Sequence, residues 1–273
     1  MTRAAATAKL NLALVVGPVR ADGKHDVTTV LQRLALADRV DVRPAPGLVV
    51  VEGFADDTLV RAALTALALE ADVRPRWLAR ITKRIPVAAG LGGGSSDAAT
   101  ALRLANETLE APLPHERLHA LARRLGADVP FFLREGPQLG EDEGATLRPL
   151  DLPQDYFVLL LAPNDARKRS TEDVYRAFDE QHAEDGYARR RATLLDALEN
   201  VRRARDLATL PPNDLVSSPL ADELRTLGAF RADVTGAGPT VYGLFHHRAQ
   251  ADAARKQLRG RGRTWLTAPA WYG

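Results

Sequence analysis

The chain has 273 residues, 45% of them hydrophobic and 26% charged, which suits one large or two ordinary globular domains and excludes a disordered chain. A formal charge of +2 is too small to argue for a nucleic-acid partner, and a chain with no cysteine forms neither disulfides nor thiolate metal sites. No apolar run approaches the length of a membrane span and strand-like alternation begins by residue 8, so the sequence reads as a soluble, cytoplasmic protein with no membrane partner.

The first strand is expected over residues 8–16, with Leu10, Leu12 and Leu14 on one face and Lys9 and Asn11 on the other. Lys9 is one of only five lysines among 37 basic residues, so a flexible point charge stands here where arginine prevails elsewhere. It is either a solvated strand-end group or a stabiliser of negative charge. Residues 20–26 form a turn on Asp22-Gly23 and carry Lys24 and His25. After it, Val27, Val30, Leu31 and Leu34 fall at i, i+3, i+4 and i+7, which predicts an amphipathic helix with His25 at its start, as a cap or facing a ligand. Strands are expected near 39–44, 48–52 and 77–83, with a helix near 57–70. That succession is α+β, not a doubly wound sheet.

The stretch Pro86-Val-Ala-Ala-Gly-Leu-Gly-Gly-Gly-Ser-Ser-Asp-Ala-Ala99 follows. Its glycines allow tight turns that gather backbone N–H groups, and Ser95 or Ser96 is expected to cap the helix that begins there. The free N–H groups and positive dipole end of that helix make an anion site suited to phosphate. No Gly-Lys-Ser/Thr follows, so this is not a P-loop, nor is it the dinucleotide Gly-x-Gly-x-x-Gly. The candidate nucleotide contacts are Pro86, Val87, Ala88, Ala89, Gly90, Leu91, Gly92, Gly93, Gly94, Ser95 and Ser96.

A helix over 114–125 ends on Gly126 as its C-cap, and Asp128 follows in the apolar, proline-stiffened segment Gly126-Ala-Asp-Val-Pro-Phe-Phe-Leu133. That carboxylate is either a buried structural acid or the acceptor of a hydroxyl proton during phosphoryl transfer. Residues 134–155 show no clear period and read as the passage between a first domain, 1–150, and a second, 151–273. A buried strand is expected over 156–162, then a helix opened by Ser170-Thr171 that carries Tyr175 and Arg176. A helix over 188–205 sets its arginines on the wet face, and Ser218-Pro219 starts another. Thr235-Gly-Ala-Gly-Pro-Thr240 is a hairpin turn or a second loop closing over substrate.

These motifs resemble the GHMP kinases, the family of galactokinase and the homoserine, mevalonate and phosphomevalonate kinases. Residues 86–99 are similar to the family's second motif and 235–240 to its third. The resemblance narrows, through Ala8-Lys-Leu-Asn11, Ala21-Asp-Gly-Lys-His25, Gly126-Ala-Asp-Val-Pro-Phe-Phe132 and Asn213-Asp-Leu215, to the branch acting on 4-diphosphocytidyl-2-C-methyl-D-erythritol. It implies a two-domain GHMP kinase fold, with an ATP-binding N-terminal domain like the second domain of a small-subunit ribosomal protein and a C-terminal α/β sandwich-like domain. The implied activity is ATP-dependent phosphorylation of the substrate's 2-hydroxyl, with Mg²⁺ beside ATP, in a monomer or homodimer.

Lys9 and Asp128 match the family's catalytic pair. His25 matches its cytosine-reading histidine and Tyr175 its aromatic stacker. Asn11, Lys24, Thr171, Arg176, Gly236 and Gly238 complete the substrate-binding set. The chain departs from the family where Lys24 replaces an aromatic and Thr58 an asparagine. Two other readings stand beside this one: another GHMP small-molecule kinase, or a non-catalytic nucleotide sensor, which would need Lys9 or Asp128 to be lost.

Overall fold

The computed structural model describes residues 2–164, 170–181 and 186–270. Contacts divide the chain into two interleaved compact units, one of residues 1–8, 36–87 and 92–135 and the other of 9–35, 88–91 and 136–273. The divisions fall inside β1 (Thr2–Val19), β2 (His25–Pro44) and the glycine loop, so each of those stretches supplies residues to both units.

In the first unit the last part of β2 pairs antiparallel with β4 (Trp77–Thr82), Arg39 opposite Thr82 and Pro44 opposite Trp77. A short parallel strand, β3 (Val50–Glu52), lies on the other edge of β4. Alternation along β4 buries Trp77, Ala79 and Ile81. Helix α1 (Leu59–Glu70) buries Val60, Ala63, Leu64 and Leu67 at helical spacing, and packs on α2 (Gly93–Asn106) and α3 (His115–Leu125). From Ser96 to Asn106 only Arg103 of α2 is exposed, because a run of alanines lets its neighbours approach closely on every side.

In the second unit the first part of β2 pairs with β5 (Gln138–Glu141), Thr29 opposite Gly140, and β5 turns back into β6 (Thr146–Pro149). Strand β7 (Phe157–Pro163) leads to α4 (Thr171–Gln181), α5 (Tyr187–Glu199) and α6 (Pro219–Thr226). The four-stranded antiparallel sheet in the order β10-β7-β9-β8 is completed by β8 (Arg231–Val234), β9 (Val241–Phe245) and β10 (Gly262–Thr267). α6 and α7 (Arg248–Gln257) close one core against it, with Leu159, Leu161, Leu224, Phe245 and Leu258 fully buried. Each such side chain contributes about 1.5–3 kcal/mol.

Three expectations are corrected. Residues 27–34 are strand, not helix, and Thr28, Thr29, Gln32 and Arg33 between the apolar positions are buried too. The β-branched run Val27-Thr-Thr-Val30 favours an extended chain, and the polar members are paired: Thr29 Oγ1 donates to the Ala13 carbonyl at 2.8 Å and Thr28 shares a 3.0 Å bond with the Tyr187 hydroxyl. Residues 134–155 are no bare passage, because they contain the β5–β6 hairpin, whose turn at Asp142 and Gly144 takes positive φ. The arginine helix ends at Glu199, leaving Arg202, Arg203 and Arg205 beyond it. Asp206 draws the backbone N–H groups of Arg202 and Arg203 into a separate 3₁₀ turn over 204–209. Nor do all its arginines face water: Arg190 binds Asp214 and the Val16 carbonyl, and Arg191 binds Glu141.

Candidate active site

Lys9 is not a solvated strand-end lysine. It is 5% exposed and Asn11 is 6% exposed, so both faces of this part of β1 are covered. The Lys9 ammonium donates to Asn11 Oδ1 at 2.6 Å, and the Asn11 amide donates to Thr29 Oγ1 at 2.8 Å. Thr235 Oγ1 accepts the Asn11 backbone N–H at 3.0 Å and is itself wholly buried. The lysine is thus held by a chain of side-chain bonds from β1, β2 and the 235–240 turn. A buried cation costs heavily unless it is so supported.

The second glycine stretch is the hairpin turn between β8 and β9. Thr235 N–H donates to the Thr240 carbonyl at 3.0 Å, and Gly238 N–H to the Thr235 carbonyl at 3.0 Å. Residues 88–91 of the first glycine loop lie against this turn. A Cβ on Gly90 would sit 2.6 Å from the Thr235 carbonyl oxygen and 3.0 Å from that of Gly238, and Gly90 has φ +76°, so only glycine fits. Lys9 N–H donates to the Leu91 carbonyl at 3.0 Å. Within one unit, part of the glycine loop, the second glycine turn and Lys9 therefore pack together.

The rest of the loop belongs to the other unit and begins α2 earlier than expected. The N-cap is Gly92, in the left-handed region, with no side-chain cap bond, so Ser95 and Ser96 lie in the helix rather than before it. Glycine at that position, with its left-handed backbone, lets the chain turn into helix three or four residues sooner than a cap at Ser95 or Ser96 would. Beside this first turn stands a lysine that the glycine spacing did not reveal. Lys83 Nζ donates to Asp38 at 2.5 Å and Asp97 at 2.8 Å and lies 3.3 Å from where a Gly93 Cβ would be. Asp38 also accepts the N–H groups of Arg84 and Ile85, whereas Asp97 keeps one buried oxygen without a partner. Burial, opposed by Lys83 and reinforced by Asp38, pushes the Asp97 carboxyl up to about 7. Lys83 goes up because its two carboxylates outweigh its burial.

Asp128 lies half-buried in this same unit, between the Gly126 C-cap of α3 and a 3₁₀ turn over Pro130–Leu133. Val129 N–H closes the bend onto the Gly126 carbonyl at 3.2 Å. Thr58 is the N-cap of α1 but makes no side-chain cap bond there; Asp57 receives the Val60 and Arg61 N–H groups instead.

In the other unit, His25 and Tyr175 come together with ring centroids 4.8 Å apart, and Phe178 meets His25 edge-on at 6.4 Å. His25 Nε2 is 2.7 Å from Asp179 Oδ1, a partner that sequence reading missed. An ionised carboxylate only accepts, which puts the proton on Nε2 and fixes the ring's orientation. Lys24 is exposed on the Asp22-Gly23 turn, its N–H bound to Asp22 Oδ1. Thr171 and Arg176 are exposed on α4, with Arg176 paired to Asp173 one turn earlier. Among the described residues no group of three or more His, Asp or Glu could hold a metal on its own.

Residues 58–136 match the GHMP kinases N terminal domain and 212–264 the GHMP kinases C terminal domain. The chain is 38% identical over 275 residues to a 4-diphosphocytidyl-2-C-methyl-D-erythritol kinase of Anaeromyxobacter sp. (strain K), covering 94% of this chain and 85% of that one. It is 36% identical over 273 residues to the Geobacter sulfurreducens protein of the same name, covering 96% of each. A crystal structure of 4-(cytidine 5'-diphospho)-2C-methyl-D-erythritol kinase superposes with a TM-score of 0.80 at 31% identity, over 99% of this chain and 100% of that one. A mevalonate kinase structure, 13% identical, shares the fold with a TM-score of 0.76.

Proposed function

The chain belongs to the 4-diphosphocytidyl-2-C-methyl-D-erythritol kinase family of GHMP kinases, and on that premise we propose how its own residues divide the work of an ATP-dependent phosphorylation. The enzyme is a small-molecule kinase that transfers the γ-phosphoryl group of ATP to the 2-hydroxyl of 4-(cytidine 5'-diphospho)-2-C-methyl-D-erythritol, giving the 2-phosphate and ADP in non-mevalonate isoprenoid synthesis. In our reading Asp128 takes the hydroxyl proton as the oxygen attacks the γ-phosphorus, and the bond to the bridging oxygen breaks with its electrons leaving on ADP. Lys9, pre-oriented by Asn11, stabilises the negative charge spread over the transferring group. The loop from Pro86 to Ser96 cradles the nucleotide phosphates with its backbone N–H groups and the open end of α2.

On the acceptor side, His25 reads the cytosine edge and Tyr175 stacks on its face, with Asp179 keeping the imidazole in place. Lys24 lays its stem where the family resemblance implies a second aromatic, and Thr171 and Arg176 form the polar rim. Gly236 supplies a floor without a side chain beside Lys9 and Asn11, and Gly238 continues it in the same turn, where its carbonyl faces Gly90. Mg²⁺ would accompany ATP, and the Ser95 and Ser96 hydroxyl oxygens at the start of α2 would be the loop's own hard-oxygen donors toward it. It would neutralise charge on the β- and γ-phosphates. We assign the ATP-binding and catalytic role to residues 1–150 and the C-terminal GHMP role to 151–273, in a cytoplasmic monomer or homodimer.

The observation that carries this reading is Gly90 seated on Thr235 and Gly238 beside the buried Lys9–Asn11 pair. The test is ADP release with Mg-ATP against the cytidine compound, its uridine analogue, homoserine and mevalonate, in the parent and in Asp128→Asn. Turnover is expected with the cytidine compound alone and falls by about 10²–10⁴ in the variant. Activity on a small acid, or a variant within a few-fold of the parent, would sink the substrate assignment or the role of Asp128 respectively.

A further inference from the structure

We propose that Asn213 is a positioning residue for phosphoryl transfer, acting through the 235–240 turn on Lys9 and Asn11; the inference rests on the reading of Lys9 given above. Asn213 is 7% exposed and every polar atom of its carboxamide is engaged. Nδ2 donates twice, to the Val234 carbonyl at 3.0 Å and the Gly236 carbonyl at 2.7 Å, and Oδ1 accepts the Leu215 N–H at 2.9 Å. Only a carboxamide offers two donors on one atom and an acceptor on the other at that size.

Its backbone is tied as firmly. Asn213 N–H donates to Asp233 Oδ2 at 2.9 Å, and Asp233 lies 3.6 Å from the buried Arg231. Asn213 also bridges to Leu14 of β1, with the next N–H, that of Asp214, donating to the Leu14 carbonyl at 2.9 Å. The residue is therefore a strut. One side is fixed to the strand that carries Lys9 and Asn11, and the other to the turn that faces them.

The tolerance between those two parts is small. A Cβ on Gly236 would lie 3.3 Å from Asn11 Oδ1 and 3.5 Å from Lys9 Nζ, so a single methyl group would fill the space between the turn and the ammonium. The same turn seats Gly90 of the glycine loop. When the Asn213 amide is removed, the Gly236 carbonyl loses its donor, and the turn is free to relax toward or away from Lys9. A misplacement of about 1 Å in such machinery costs on the order of 10²-fold in rate.

The test is a double-mutant cycle of Asn213→Ala with Lys9→Met, reading kcat, both KM values and Tm in the full-length enzyme. Asn213→Asp, which keeps the acceptor but not the donors, and Asn213→Ser, which keeps one donor, are measured alongside in case the alanine variant does not fold. Expected is a kcat loss of about 10–100-fold in Asn213→Ala or Asn213→Asp, with a smaller loss in Asn213→Ser. Both KM values stay within about threefold, and in the Lys9→Met background the loss shrinks to under about threefold. A folded variant with kcat within about twofold of the parent, or an equal loss in both backgrounds, overturns the positioning role while leaving Lys9 catalytic. Lys9→Met with parental kcat overturns the reading of Lys9, and the proposal falls with it.

Discussion

Asp97 shows what one buried group does to this enzyme's pH behaviour. Its carboxyl is pushed to about 7 from an ordinary 3.8, so the folded chain holds a proton there that the unfolded chain has released. The resulting stabilisation is complete below about pH 4 and is lost as pH rises through about 7. Asp97→Asn stays neutral at every pH and still accepts from Lys83, so it has no such loss to suffer. The stability of the variant relative to the parent should therefore rise between pH 5 and pH 8, read from urea midpoints across that range. Parallel curves for the two proteins would mean that Asp97 is ionised in the fold. Lys83 escaped sequence reading because it stands before the glycine motif, and Asp97, though inside that motif, showed no partner there; the helix start brings the two together only after Gly92 has turned the chain. Lys9, Asn11 and His25 stand inside ordered motifs and Tyr175 on the helix expected after Ser170-Thr171, and the structure groups Lys9 with Asn11 and His25 with Tyr175.

At the scale of elements, the glycine loop separates two demands that its sequence presents as one. Gly90 is required by the protein itself: an added Cβ would strike the Thr235 carbonyl from a left-handed backbone. Gly94 meets nothing within 4 Å and lies in a helix, where alanine is favoured by about 0.8–1 kcal/mol. Gly90→Ala should therefore lower Tm, and Gly94→Ala should leave it unchanged or raise it. If phosphates approach the first turn of α2, Gly94→Ala should still raise the KM for ATP by about tenfold, because the methyl stands where an oxygen must come close. A parental KM in Gly94→Ala would move the phosphates away from that turn. The strand over 25–44 teaches the complementary lesson. Helical spacing of Val27, Val30, Leu31 and Leu34 was real, yet burial on both faces and the pairing of Thr28 and Thr29 decided for sheet, and no pattern of apolar residues alone carries that information.

The whole molecule adds a constraint that reading the chain in order did not disclose. Sequence placed a boundary near residue 150, and the family matches at 58–136 and 212–264 fall on either side of it. The compact unit that holds residues 136–273 nevertheless takes in 9–35 from the far end of the chain. Buried groups enforce that debt. Arg231 is 6% exposed and donates to the Leu12 carbonyl at 2.5 Å, Tyr242 donates to the same oxygen at 3.1 Å, and the Val16 N–H donates to Asp214 at 2.9 Å. A fragment of residues 151–273 alone would leave part of that buried arginine unsatisfied, at about 1–3 kcal/mol for each stranded group, and would expose the side of Phe178 that packs on Leu14, Val16 and Val27. Penalties of that size, summed over several groups, consume most of a domain's net stability. The fragment should therefore show no cooperative unfolding transition by circular dichroism, and should regain one when expressed together with residues 1–150. A cooperative transition in the isolated fragment would mean that the strand from Lys9 to Val16 guides the active site without holding the fold together.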